Sequence, residues 1–110
     1  MSAQRKPLYP PKCGSIAEIQ FSALAHNVNV IRQSIAPSEI MAVVKANGYG
    51  HSLRLAAHAF AQAGVNRFAV ATLDEGLALR RAGIEGQVIL LGGATWLSAP
   101  RFLWDAELTP

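Results

Sequence analysis

Cysteine is almost missing from this chain, and so are long apolar runs, metal-ligand clusters and any strong excess of charge. The single Cys13 permits no internal disulfide and has no partner at metal-ligand spacing, a pattern that suits a reducing cytosol. No stretch approaches the ~20 consecutive apolar residues that a membrane span needs. The start of the chain is basic but broken by Pro7, Pro10 and Pro11, and it lacks the apolar run of a signal peptide. Formal charge is only +3, and Arg5, Lys6 and Lys12 form its one local concentration. No aromatic residues alternate with them as a stacking platform would require. Neither nucleic acid nor a membrane is therefore an expected partner. No metal site is expected either, because His26 and His58 fall in helical segments and His51 has no carboxylate, cysteine or second histidine at ligand spacing. Length is short as well: 110 residues make one small domain, and a complete (β/α)8 barrel needs ~250.

What is present is a core and a rhythm. Hydrophobic residues make up 51% of the chain, enough to exclude a disordered tail. Residues 1–14 hold three of the six prolines and read as an extended leader, with a folded unit over 15–110. Ala17, Ile19 and Phe21 alternate with polar residues and predict a half-buried strand. From Ser22, a candidate cap, Leu24, Val28, Ile31 and Ile35 recur at helical spacing until Pro37 stops them. Ile40 to Val44, Phe68 to Ala71 and Val88 to Leu91 read as short strands buried on both faces. Between them, Leu53, Ala56, Ala57 and Phe60 line one helix face, with Gly64 as its stop. Thr72-Leu73-Asp74-Glu75 fits a capping box for the next helix, which Gly83 closes. Beyond Gly93 the pattern weakens. Trp96, Leu97, Phe102, Leu103 and Trp104 fit one short helix interrupted by Pro100. The order predicts an α/β layer of parallel strands.

The stretch from Met41 to Ser52 stands apart. Four apolar residues run into Lys45, then a loop with two glycines around Tyr49, then Ser52 as a helix cap. One amine, one phenol and several free amides thus meet at the carboxyl end of a strand, where α/β folds put their chemistry. Two readings of Lys45 stand side by side: an ammonium snorkelling to water, or a partly desolvated amine able to form an imine. Tyr49 is equally open, since a tyrosine in a glycine loop is often a packed lid. Gly48 to Ser52 is no dinucleotide fingerprint, because the third glycine is missing. Gly92-Gly93 reads as a turn in preference to a phosphate cradle. Asp74 and Glu75 read as helix-start anions in preference to an acid/base pair.

Val43-Val44-Lys45-Ala46-Asn47-Gly48-Tyr49-Gly50-His51 resembles the pyridoxal-phosphate signature of alanine racemases, which usually reads A-V-V-K-A-N-A-Y-G-H-G. The resemblance extends through Ala17-Glu18-Ile19, Ala25-His26-Asn27, Phe68 to Gly76 and Ile89 to Gly92, in order. It implies the opening βα units of a (β/α)8 TIM-type barrel, truncated after about three barrel strands, with Val43, Val70 and Ile89 facing inward. The rest of the barrel and the family's separate C-terminal β domain lie beyond the match, so the chain reads as a truncated product or gene fragment. The resemblance further implies a cytoplasmic enzyme that interconverts L- and D-alanine for peptidoglycan supply and is a homodimer at full length. Pyridoxal 5'-phosphate is its implied cofactor, Lys45 its implied attachment point and one-face acid/base, and Tyr49 the implied partner of its phosphate. The opposite-face tyrosine and the arginine at the pyridine nitrogen have no matching positions, so the isolated chain is expected to be inactive. Gly48 departs from the family's alanine, which loosens the expected placement of Tyr49. His51 matches the family's histidine and is assigned only a loop-organising role. The alternatives are a non-catalytic pyridoxal-phosphate binding or carrier protein on a related barrel, which lacks the Tyr-Gly-His continuation, and a remnant without function.

Overall fold

The computed structural model describes residues 16–92 and 100–110. Its elements run α1 (Phe21–Ile35), β1 (Ala42–Val43), α2 (Lys45–Tyr49), α3 (Leu53–Gln62), β2 (Arg67–Val70), α4 (Leu73–Arg81), β3 (Gln87–Leu90), α5 (Pro100–Asp105) and β4 (Leu108–Thr109). The four strands form one parallel sheet in the order β1-β2-β3-β4. Sequential parallel strands joined by helices are the opening βα units of a barrel.

Register explains the core. Ala42, Phe68, Val88 and Leu108 sit opposite one another along one row, and Val70 pairs with Leu90 further on. These residues and Val44 are all buried. Alternation along a strand puts Val43, Ala69, Ile89 and Thr109 on the other face. There Val43 is 38% exposed and Thr109 is exposed, while Ile89 is half-buried and Ala69 is buried. That is the face a closed barrel turns inward. Val70 therefore corrects the sequence expectation. It lies one residue out of phase with Val43 and Ile89 and packs in the cluster with Phe68, Leu79 and Val88, and Ala69 takes the inward place.

The helices follow from their spacing and stops. Helix α1 packs on α3, burying Val28, and the small residues Ala56, Ala57 and Ala59 are α3's buried positions. Arg32 of α1 donates to Ala63 O at 2.9 Å and so satisfies a free carbonyl at the end of α3. Gly64 follows at φ 91°, the expected left-handed stop. Helix α4 opens on the expected capping box, with Thr72 and Glu75 each satisfying the other's backbone amide. Leu79 is fully buried, and Gly76 lets α4 lie close to Leu90 and Leu108: a Cβ there would stand 3.1 Å from both side chains.

Other expectations are corrected. Residues 16–20 form no strand, and Phe21 opens α1 instead. Alternation alone cannot hold a strand without a neighbouring ladder, and none pairs there among the described residues. Ser22 is the second residue of α1. The cap position is Gln20, which makes no side-chain cap bond. Ile31, predicted on the apolar face, is 49% exposed. Pro100 is the first described residue of α5, a position where a missing amide costs nothing, and the stretch before it lies outside the described residues. β4 is an added fourth strand. The leader and Gly93, Trp96 and Leu97 lie outside the described residues, as do the side chains of Phe102 and Trp104.

Candidate active site

β1 carries the chain through buried Val44 to Lys45, where extended backbone ends (Val44 φ −119°, ψ 18°). The turn that follows is left-handed: Ala46 (φ 53°, ψ 48°), Asn47 (φ 55°, ψ 43°), Gly48 (φ 65°, ψ 33°), then Tyr49 at φ 53° and Gly50 at φ 90°. An L-residue in this region costs roughly 1–2 kcal/mol because its Cβ crowds a carbonyl, while glycine escapes and asparagine tolerates it. Ala46 and Tyr49 therefore carry most of the strain, on the order of 2–4 kcal/mol together. Such a conformation persists only where its surroundings over-determine it.

Several hydrogen bonds do so. Gly48 N–H donates to Val44 O at 2.9 Å, Gly50 N–H to Asn47 O at 3.2 Å and His51 N–H to Gly48 O at 3.1 Å. His51 Nδ1 lies 3.2 Å from the same Gly48 oxygen. A carbonyl only accepts, so that nitrogen carries the proton and the ring closes the turn. Asn47 Oδ1 accepts from Leu53 N–H at 2.9 Å and Ser52 Oγ from Leu55 N–H at 3.3 Å. Ser52 is the expected cap of α3. Asn47 is a second one that the sequence did not reveal.

The strongest tie comes from a neighbouring unit. Glu75, in the first turn of α4, accepts from Ala46 N–H through Oε2 at 2.8 Å. Its Oε1 accepts from Ala71 N–H at 2.9 Å, Thr72 N–H at 3.0 Å and the Thr72 hydroxyl at 3.3 Å. One carboxylate thus joins the loops at the carboxyl ends of β1 and β2. The capping-box signal was legible beforehand, whereas the reach to a residue 29 positions away had no local signature.

Lys45 is partly exposed, and its amine has no ion-pair partner among the described residues. Tyr49 is 60% exposed, so it is no packed lid. Beside it an apolar hollow of about 200 Å³ opens between Leu24, Val43, His51 and Phe60. A larger open groove of about 560 Å³, with Ser52, Arg54 and Arg81 in its wall, includes neither Lys45 nor Tyr49. The chemistry-bearing residues and not the larger hollow define the site. Gly92 lies two residues past β3, beside the residue that follows β2, where a Cβ would overlap Ala71 O, so this glycine serves close backbone approach. Among the described residues there is no cluster of three or more metal-ligating side chains, and no helix is long and apolar enough to cross a membrane.

Comparison with known proteins places the fold in a family. Residues 19–110 match the family described as alanine racemase, N-terminal domain. An alanine racemase of Acidithiobacillus ferrooxidans is 50% identical over 78 residues, covering 71% of this chain and 21% of that protein. The chain thus spans about a fifth of the curated relatives it matches. Among solved structures, alanine racemase from Oenococcus oeni superposes with a TM-score of 0.74 at 34% identity, over 83% of this chain and 26% of that one. A histidine racemase from Leuconostoc mesenteroides gives 0.73 at 38% identity, over 80% and 23%. The left-handed lysine turn thus sits in the opening βα units of a racemase barrel, and the chain belongs to the alanine racemase N-terminal domain family.

Proposed function

We propose that this chain carries the cofactor-anchoring part of a pyridoxal-phosphate-dependent alanine racemase, with Lys45 as the attachment point and Tyr49 as a phosphate partner. One observation carries the reading: a partly exposed lysine and an exposed tyrosine share a strained turn at the carboxyl end of the first strand. The residues fit an aldehyde-bearing phosphate ester, because Lys45 has no ion-pair partner among the described residues and the Tyr49 hydroxyl can donate to a phosphate oxygen. The cofactor, when bound, supplies an electron sink that lets the substrate's α-proton leave.

Lys45 then takes and returns that proton on one face of the substrate carbon. Inversion needs a second group on the opposite face. Tyr49, the one tyrosine among the described residues, is committed to the phosphate in this reading. We therefore expect these 110 residues alone to bind cofactor without racemising alanine. At full length the activity is that of a cytoplasmic homodimer supplying D-alanine to peptidoglycan precursors. The family membership supports an amino acid as substrate, and the alanine racemases among its relatives favour alanine.

Borohydride reduction of the chain incubated with pyridoxal phosphate, followed by peptide mapping, tests the anchor. The pyridoxyl group should reside on Lys45. Equal labelling of Lys6 and Lys12, the other two lysines, would overturn it. Incubation with L-alanine in deuterated water tests the rest, with D-alanine expected no faster than with free cofactor. A cofactor-dependent excess abolished by Lys45→Ala would refute the one-face argument.

A further inference from the structure

We propose that Glu75 is a positioning residue for Lys45, holding the left-handed turn in place through the Ala46 amide. The inference rests on the reading of Lys45 as the cofactor anchor. It deepens that reading by naming what sets the lysine's geometry.

The capping box uses only half of this carboxylate. Oε1 alone receives Ala71 N–H, Thr72 N–H and the Thr72 hydroxyl. A glutamine would serve a capping box equally well, since one acceptor oxygen is all it requires. Oε2 has a different partner, Ala46 N–H at 2.8 Å, on the residue directly after Lys45. Ala46 is also the first residue of the left-handed run, and alanine has no intrinsic reason to sit at φ 53°. A strained residue next to a functional one needs an external tether. Among the described residues, the Ala46 amide's recorded partner is this carboxylate. Because Oε1 is fixed to the β2 loop, the tether also sets the lysine's strand end against its neighbour. Without it, Ala46 can relax toward the right-handed region, and the peptide plane that carries Lys45 turns with it.

The chemistry of the two oxygens supplies a clean test. Glu75→Gln keeps an acceptor for the capping box but replaces Oε2 with an amide NH2, setting donor against donor at Ala46. Glu75→Ala removes both functions. Two readouts on the whole chain separate the roles. Amide hydrogen exchange should show Ala46 exchanging about tenfold faster in Glu75→Gln, the factor that losing one charge-assisted hydrogen bond gives, with α4 protection unchanged. Borohydride trapping of pyridoxal phosphate should fall about tenfold at Lys45 in the same variant while Lys6 and Lys12 are unaffected. A Glu75→Gln chain with wild-type exchange at Ala46 and wild-type trapping at Lys45 would reduce Glu75 to a helix cap and overturn the proposal. If the unaltered chain shows no preference for Lys45, the cofactor reading falls. Exchange at Ala46 then still decides, without any cofactor, whether Glu75 holds the turn.

Discussion

Replacing Arg80 should cost this fold more than any other surface-reaching charge. Its guanidinium, at the end of α4, donates from Nε to Ala106 O at 2.8 Å and from Nη1 to Ile84 O at 2.7 Å and Gly86 O at 2.8 Å. Nη2 completes the set with Glu107 O at 2.8 Å. The planar fork therefore closes the turn into β3 and clasps the turn into β4 at once. Hydrogen bonds from a charged donor contribute ~1.5–3 kcal/mol each at face value. The site is only part-buried and the Glu107 bond is exposed, so water replaces much of what is lost. A net loss of ~2–4 kcal/mol for Arg80→Ala follows, against a total of ~5–15 kcal/mol for a typical domain. Arg80→Lys keeps the charge but not the fork, and should lose about half as much. Urea unfolding followed by circular dichroism measures both, provided the slope with denaturant is unchanged. A lysine variant within ~0.5 kcal/mol of the parent would show that charge alone, and not the fork of carbonyl contacts, sets the contribution.

Three further substitutions probe backbone and surface. Gly92→Ala should destabilise by about 3 kcal/mol in the same titration, the upper end of overpacking costs, because its Cβ would overlap the Ala71 carbonyl. Gly50→Ala is its control, with open space around it but φ at 90°, and should lose only about 1 kcal/mol. Equal losses would mean that crowding at Gly92 is relieved by backbone movement. Glu39→Ala breaks the ion pair with Arg67 (3.1 Å, side chains 65% and 47% exposed, respectively), and should shift stability by less than ~0.5 kcal/mol. A larger loss would point to a role for Glu39 beyond that contact.

Much of the fold was legible because its signals are local. The Thr72–Glu75 box, the Gly64 and Gly83 stops and the three apolar strand runs each involve residues a few positions apart, and the structure has them all, although the first run shortens to Ala42–Val43 and leaves Met41 and Val43 exposed. The failures share the opposite property. Ala17, Ile19 and Phe21 alternate correctly, but a strand exists only with a partner, and none pairs with them among the described residues. Val70 lies on the face opposite to the expected one, because a buried run carries no alternation to mark its phase. β4, two residues long, is too short for any period. The site divides in the same way. The Lys45 and Tyr49 positions are legible as a string of neighbouring residues. The left-handed turn was half-visible in Asn47, Gly48 and Gly50, which tolerate positive φ. Ala46 and Tyr49 do not, and their conformation depends on contacts that the string does not contain.

Helix α4 ties these observations together, because it acts at both ends of the sheet. At its first turn Glu75 reaches the carboxyl ends of β1 and β2. At its last turn Arg80 reaches the loops that lead into the amino ends of β3 and β4. In a βα barrel the first end carries chemistry and the second carries stability. The two side chains differ accordingly. Arg80 binds carbonyls of backbone free of left-handed strain, apart from Glu107 at φ 53°, so its contribution goes mainly into keeping strands together. Glu75 binds the amide of a strained alanine, so part of its contribution offsets a conformation the chain would otherwise leave. The prediction is an asymmetry. Loss of Arg80 should lower stability with the Ala46 amide still protected in the folded molecules. Loss of the Glu75 tether should expose that amide with stability little changed, because relaxing a strained turn returns some of what the broken bond removes.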